Sequence, residues 1–149
     1  MPRRSSRVHV DAGDLADAPT RLIERAVRAA LSAEARPVVE VSVALLGDAD
    51  MRELNRRYLG KDAPTDVLAF ALDEGGDLVG DVYVGFEQAR RQATELGVPI
   101  EEELARLAIH GTLHVVGHDH PEGAGRVGSA MFELQERLLV ELLKGRPAR

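Results

Sequence analysis

The segment VLAFALDEGGDLVGDVYV, residues 67–84, contains two apolar stretches on either side of a glycine pair. Val67–Leu72 and Asp77–Val84 have the apolar, β-branched and aromatic composition that is typical of strands. Gly75 and Gly76 lie between them, and glycine suits tight turns because it tolerates a positive φ. The segment therefore predicts a β-hairpin.

Helical and strand periodicities alternate on both sides of this hairpin. Upstream, apolar spacing predicts a helix over Thr20–Ala33, a strand over Val39–Leu45 and a short helix with Asp48 as its N-cap. Downstream, it predicts a helix over Phe86–Leu96 that Gly97 ends, a helix that opens at Pro99, and a last helix over Gly128–Leu143 with an apolar face of Met131, Leu134, Leu138 and Leu142. Helices interleaved with strands predict an α/β (α+β) fold, with a small sheet of about four strands covered by about five helices.

The composition restricts the classes of function. The chain has 149 residues, 44% of them hydrophobic, which is enough for one domain over residues 1–149. The absence of cysteine excludes disulfides, zinc–thiolate sites and thiol nucleophiles. A net charge of −6 excludes a generally basic nucleic-acid-binding surface, and 3% aromatic content without tryptophan argues against a platform for stacked bases.

The sequence predicts neither export nor membrane insertion. The basic N-terminus, Met1–Arg7, is followed by Val8-His9-Val10-Asp11 and not by the apolar stretch of a signal peptide. No apolar run approaches the roughly 20 residues that a membrane span requires. We therefore expect a cytoplasmic protein without membrane partners.

Four of the five histidines lie within the eleven residues HGTLHVVGHDH, numbered 110–120. His110 and His114 are spaced i and i+4 on the predicted helix, so their rings lie on one face and can bind one ion. Gly117 can end the helix and turn the chain back, which makes His120 the predicted third ligand. His118 is the weaker candidate, because a continued helix would place it about 12 Å along the axis from His110. The lone His9 is interpreted as structural.

The histidine spacing matches the H-E-x-x-H-x-x-G-x-x-H pattern of metzincin proteases except at one position. Gly111 stands where those enzymes have the glutamate that acts as general base. The site therefore predicts a metal held by imidazoles at the end of a central helix, without the usual peptidase base. Asp119 is the candidate catalytic acid–base group or a partner for a ring N–H, and a plain turn or capping role is the alternative.

The same block resembles the signature H-G-x-L-H-x-x-G-x-D-H of the YbeY family of ribosomal RNA maturation endoribonucleases. A second block, LNRRYLGKDAPTDVLAF at residues 54–70, is similar to that family's L-N-x-x-(Y/F)-(R/L)-x-x-D-x-P-T-D-V-L-S-F segment. A third, LVGDVYV at residues 78–84, is similar to its G-D-I/V strand. Leu59 departs from the pattern, since a number of members carry an arginine there.

The resemblance implies a single metal-dependent hydrolase domain with one zinc ion on His110, His114 and His120. It implies an endoribonuclease of single-strand type that processes the 3′ end of small-subunit ribosomal RNA and takes part in ribosome quality control. A ribosomal protein or a GTPase would be a further partner. We hypothesise that zinc lowers the pKa of a bound water and stabilises charge on a phosphodiester oxygen. The sequence leaves open whether water or the RNA's 2′-hydroxyl attacks.

An acidic chain that binds RNA needs a local basic surface. Arg56, Arg57 and Lys61 are the predicted substrate-binding residues, close to the position that Leu59 occupies. The alternative, which helix surfaces favour, is that each is a solvated charge. A ribosomal protein that delivers the substrate is a further alternative.

Two further classes of function stay open at the level of sequence. The first is a metal-dependent hydrolase of peptides or small molecules, which the histidine spacing favours and Gly111 disfavours. The second is a non-enzymatic ribosome-assembly factor in which zinc fastens the loop after Gly117 to its helix, with His118 or Asp119 as a fourth protein ligand.

Overall fold

Four strands and five helices form the regular structure of a computed structural model, which describes residues 6–33, 38–75, 77–117 and 130–144. In chain order the elements are β1 (Arg7–Asp11), α1 (Thr20–Ser32), β2 (Val38–Leu46), α2 (Asp48–Leu59), β3 (Val67–Glu74), β4 (Asp77–Gly85), α3 (Phe86–Leu96), α4 (Ile100–Val115) and α5 (Ala130–Lys144). The predicted α/β architecture is confirmed, with four strands and five helices in the described ranges.

The strands form one mixed sheet in the order β1-β2-β4-β3. The two pairs β1–β2 and β2–β4 are parallel, whereas β3 and β4 are antiparallel neighbours with Val67 opposite Val84. The predicted hairpin is confirmed, and Gly75 in its turn has the positive φ of +62° that favours glycine.

Helix α4 is the central element of the core. It crosses the sheet over β3 and β4, and α1, α3 and α5 all pack against it. Side chains that alternate along the strands, including Val41, Val43 and Val82, are buried with α4 in one apolar core. The histidine-bearing helix is therefore surrounded by secondary structure, and His110 and His114 lie in its last two turns.

Two glycines let α4 approach the sheet closely. A Cβ atom on Gly111 would lie 2.5 Å from Cγ1 of Val82, and a Cβ on Gly80 would lie 2.5 Å from Cγ1 of Val115. Both valines are almost completely buried and their branched side chains have little room to move. Comparison with the metzincin pattern interprets Gly111 as a missing general base. Packing gives a physical reason for glycine at this position, because a larger side chain would press against Val82.

Helix α2 lies near the β3 edge of the sheet, where the Tyr58 ring contacts Phe70 of β3 at a centroid distance of 5.2 Å. Its predicted N-cap was wrong, because Gly47 occupies the N-cap position and Asp48 is already helical. Glu87 of α3 accepts the backbone N–H of Asp48 at 2.8 Å, while the Asp48 carboxylate binds Arg91. The side chain that caps a free N–H group at the start of α2 therefore comes from another helix and not from Asp48.

The buried face of α5 also differs from the prediction. Met131 and Leu142 are buried as expected, but Leu134 and Leu138 are only partly buried. The fully buried positions between them are Gln135 and Leu139. A polar side chain thus occupies the core-facing side of the helix.

Among the helices of the described ranges, none combines the length and apolar character that a membrane crossing requires.

Candidate functional site

The two helical histidines face each other on α4. Their Nε2 atoms are 3.2 Å apart, and the ring centroids are separated by 4.8 Å with the rings close to perpendicular. The His110 side chain is buried, whereas His114 is partly exposed. The structure therefore confirms that the i, i+4 spacing brings two imidazole nitrogens together at the end of the central helix.

The opposite side of the His110 ring contacts α5. Its Nδ1 lies 2.6 Å from Oε1 of Gln135, and Nε2 of Gln135 donates to Glu136 at 3.0 Å. A glutamine amide has one acceptor oxygen and one donor nitrogen, so this arrangement presents an acceptor to His110. A proton on Nδ1 of His110 would be donated to this oxygen, and the lone pair of Nε2 would then be directed toward His114.

These residues fit the zinc ion that the family resemblance implies. Two imidazole nitrogens at the usual 2.0–2.1 Å from a tetrahedral zinc ion stand about 3.3 Å apart. The two Nε2 atoms here already have nearly that separation. Donation of the remote ring N–H to an oxygen acceptor is also the usual arrangement of a metal-binding histidine.

The other predicted site residues of the histidine segment, residues 110–120, follow Gly117. His118, Asp119 and His120 lie outside the described residues, so the third zinc ligand and the acid–base group stay predictions. Within the part of the chain that the structure describes, no group of three or more His, Asp or Glu side chains forms a metal-binding cluster.

A partly buried ion-pair network continues from Gln135. Glu136 accepts from the guanidinium Nε of Arg106 at 3.0 Å, and Arg106 also donates to Glu103. Glu103 is buried and accepts a further hydrogen bond of 2.7 Å from Gln92 on α3. Burial lowers the pKa of Arg106, but the hydrogen bonds to Glu136 and Glu103 outweigh it and leave that pKa raised. The network joins α3, α4 and α5 around the histidine pair.

A cavity of about 320 Å³ opens beside His110. It is large enough to admit part of a nucleotide-sized ligand, and its wall combines apolar and polar groups. Its lining residues are Asp66, Gln92, Glu103, Arg106, Leu107, His110, Phe132 and Gln135. The cavity therefore gives an outside molecule access to the histidine end of α4.

Asp66 belongs to the Pro-Thr-Asp segment that precedes β3. Its carbonyl oxygen accepts the N–H of Gly85 at 2.8 Å, and a Cβ on Gly85 would lie 2.7 Å from the carbonyl oxygen of Thr65. The close backbone contact holds this segment against the end of β4. It places a carboxylate on the wall of the same cavity as His110.

The predicted substrate-binding residues lie on the surface and do not line this cavity. Arg56 donates to Glu53 at 2.7 Å, and Arg57 approaches the same carboxylate at 3.5 Å. The hydrogen bond to Arg56 is the main reason why the pKa of Glu53 is lowered. Lys61 is exposed just after α2 ends, and Leu59 is 53% exposed nearby. Their predicted role in RNA binding remains a prediction.

Sequence reasoning did not select Gln135, Arg106 or Glu103 as site residues. A signal was present, since Gln135 interrupts the apolar face that Met131, Leu139 and Leu142 form on α5. Its partner His110 lies 25 residues away, and local periodicity does not connect the two.

Comparison with known proteins identifies the family. The family model described as endoribonuclease YbeY matches residues 7–143. A protein named endoribonuclease YbeY from Lysinibacillus sphaericus is 35% identical, in an alignment that covers 91% of this chain and 94% of the relative. Another of that name, from Geobacter sulfurreducens, is 39% identical over 131 residues, covering 84% and 87%.

A solved structure agrees with these sequence matches. The solution structure of TM1509 from Thermotoga maritima is similar with a TM-score of 0.62 and 29% identity, over 94% of this chain and 90% of that one. With the family model matching almost the whole described fold, the chain belongs to the endoribonuclease YbeY family.

Proposed function

We propose that this protein is a zinc-dependent endoribonuclease that acts in the maturation of ribosomal RNA in the cytoplasm, with the small ribosomal subunit as its partner. The observation that supports the proposal most is the 3.2 Å separation of the His110 and His114 Nε2 atoms, beside a cavity that opens to an outside ligand. Membership of the endoribonuclease YbeY family supports RNA as the substrate.

The zinc ion is proposed to be held by His110, His114 and His120. When bound, it supplies Lewis-acid stabilisation of negative charge on a phosphodiester oxygen. The chain's own residues orient the ligands: Oε1 of Gln135 accepts a hydrogen bond from Nδ1–H of His110, and close packing against Val82 fixes the helix at Gly111. Asp66 is a carboxylate on the cavity wall that can accept a proton, and Asp119 is proposed for the same acid–base role.

Positive charge for the RNA backbone is proposed to come from Arg56, Arg57 and Lys61. These residues are exposed, which suits contacts with phosphate groups that approach from solvent. Arg106 is an unsuitable phosphate ligand, although it lines the cavity, because Glu103 and Glu136 already accept its hydrogen bonds. Substrate affinity therefore depends on the surface of α2 more than on the cavity.

A peptidase of the metzincin kind is disfavoured by packing. The general base of those enzymes would stand at Gly111, where even a Cβ atom would lie 2.5 Å from Val82. The glutamate is thus excluded sterically as well as absent from the sequence.

Replacement of His114 by Ala tests the proposal. Cleavage of a structured RNA and the far-UV circular dichroism spectrum are measured on the same zinc-loaded samples. We expect cleavage to fall by at least about 100-fold while the fold is retained, since metal sites lower hydrolytic barriers by several kcal/mol. His9→Ala is the matched control, because His9 is an exposed histidine on β1, where its Nε2 lies 3.5 Å from the carboxylate of Glu40.

The outcomes separate the proposal from its alternatives. Unchanged cleavage in His114→Ala would contradict a metal-dependent nuclease at this site. Loss of the fold together with cleavage would support a structural zinc ion that fastens the chain to α4. Peptide hydrolysis without RNA cleavage in the wild type would support the peptidase class.

A further inference from the structure

Gln135 is the least expected residue near the histidine pair. It is 5% exposed and lies on the buried face of α5 between Met131 and Leu139. Placing an amide in a core is costly unless both its oxygen and its nitrogen are hydrogen-bonded. Here both are, to groups on two different sides: His110 on α4 and Glu136 on α5 itself.

The orientation of the Gln135 amide is determined by its charged neighbour. The Glu136 carboxylate can only accept hydrogen bonds, and it also accepts one from Nε of Arg106 at 3.0 Å. The Gln135 nitrogen must therefore face Glu136. The Gln135 oxygen is then left to face Nδ1 of His110 at 2.6 Å.

We propose that Gln135 is a positioning residue that holds His110 in its Nδ1–H tautomer and so directs the Nε2 lone pair toward the bound metal. The neutral imidazole carries one proton on either nitrogen, and the hydrogen bond at one nitrogen determines the state of the other. The effect on the metal rests on the proposed zinc function, whereas the effect on the tautomer does not.

The ion pairs behind Gln135 support this role. Arg106 joins Glu136 to the buried Glu103, and Gln92 of α3 donates to Glu103 at 2.7 Å. The acceptor that orients Gln135 is thus itself fixed by contacts from other helices. A rotation of the amide would place its nitrogen against the Nδ1–H of His110 and its oxygen against a carboxylate, losing two buried hydrogen bonds.

The tautomer is measured first, by nitrogen-15 NMR of the histidine rings in the metal-free protein at about pH 8.5, about two units above the ordinary pKa of histidine. We expect His110 in the wild type to be protonated at Nδ1 and unprotonated at Nε2. Gln135→Met, which keeps the length but removes the acceptor, should give a mixture of the two tautomers. Gln135→Glu should keep the wild-type tautomer, because the new carboxyl group shares a proton with Glu136 on one side and still presents an acceptor oxygen to Nδ1 of His110 on the other.

Zinc affinity is measured next on the same variants, by competition with a chromophoric chelator. We expect Gln135→Met to weaken zinc binding by about 10–100-fold, as loss of partners behind metal ligands usually does. Leu107→Met is the matched control, because it introduces the same side chain at another buried position in the wall of this cavity and conserves volume without removing a hydrogen-bonding group. Its zinc affinity should stay within about threefold of the wild type.

Each result supports or overturns the proposal. A wild-type His110 protonated at Nε2, or a Gln135→Met variant with an unchanged tautomer, would overturn it. Equal losses of zinc affinity in Gln135→Met and Leu107→Met would also overturn it, because they would indicate a general effect of altering the cavity wall. If the wild type binds no zinc but shows the expected tautomers, the proposed function fails and the positioning of His110 stands.

Discussion

Helices α4 and α2 both carry residues that the sequence selects as functional, but they are held in opposite ways. Helix α4 is covered by three helices and the sheet, with Val82 in direct contact with its backbone at Gly111. Helix α2 presents its charged residues to solvent, where Arg52, Arg56 and Arg57 pair with acidic neighbours.

The difference separates two kinds of functional residue. A buried side chain such as His110 has one geometry, because its polar atoms have fixed partners and alternatives would leave them unsatisfied. An exposed arginine exchanges its ion pair for water at little cost. A metal site requires buried side chains with fixed partners. Contacts with an RNA backbone can instead be made by exposed arginines that exchange partners.

The largest effect on stability is expected from Arg106→Met. The substitution leaves Glu103 buried without its cation, and removing one partner of a buried ion pair costs about 3 kcal/mol. Urea unfolding measures the loss. The double variant Arg106→Met with Glu103→Gln should be more stable than the single one, because no buried charge is then left alone. A single variant as stable as the wild type would show that the network does not hold the helices together.

A smaller loss is expected from Gly111→Ala. Helix propensity alone would make alanine more stabilising by about 0.5–1 kcal/mol. Contact of the new Cβ with Val82 reverses the sign, and we expect a net loss of about 1–2 kcal/mol in the free energy of unfolding. In the Val82→Ala background the loss should shrink, because the 3.2 Å approach of the new Cβ to Cγ2 of Val67 is then the main close contact that remains. Stabilisation in the wild-type background would refute the close contact between α4 and β4.

On the surface of α2, Glu53→Gln should change RNA binding more than stability. The substitution releases Arg56 and Arg57 from their shared acidic partner. We expect tighter RNA binding and a steeper salt dependence, by about one unit of slope for each added phosphate contact. Glu24→Gln on α1 is the matched control, because it makes the same charge change at an i, i+4 pair with Arg28. Equal changes in RNA affinity in both variants would show that the affinity depends on net charge alone and not on the arginines of α2.

The smallest effect on stability is expected from Asp48→Asn, and the size of this effect depends on pH. The hydrogen bonds from Arg91 are the main reason why the pKa of Asp48 lies below its ordinary value of 3.8. A carboxyl with a lowered folded-state pKa stabilises the fold fully above the unfolded value and loses that contribution as the pH falls through the folded value.

Thermal unfolding from pH 7 down to below pH 3.8 tests this expectation. Asp48→Asn should have a slightly lower Tm at neutral pH, and the difference should shrink below 3.8. Asp50→Asn, in the same helical turn, controls for the helix dipole. A difference that persists at low pH would contradict the ion pair with Arg91.

The elements of the fold could be predicted from sequence because each has a local signal. The alternation around Val41 and Val43 predicts a strand, and Gly97 and Pro99 mark where one helix ends and the next begins. The i, i+4 spacing of His110 and His114 likewise predicts their contact. These signals act over a few residues and need no knowledge of tertiary structure.

The features that could not be predicted all depend on contacts between distant segments. Asp48 was assigned as an N-cap, whereas Glu87 from another helix supplies the acceptor. Gly111 was interpreted through chemistry, although its size is required by Val82 on β4. Gln135 was passed over because its partner is on a helix 25 residues away. Periodicity shows which face of a helix is buried, but not which residues of other segments contact that face.

The most direct test of a zinc site on α4 is equilibrium dialysis of the metal-free protein against zinc. The wild type is predicted to bind one zinc ion per chain, and His110→Ala and His114→Ala are each predicted to lose that binding while His9→Ala keeps it. Zinc bound with unchanged stoichiometry and affinity by both His110→Ala and His114→Ala, or no zinc bound by the wild type, would contradict the account.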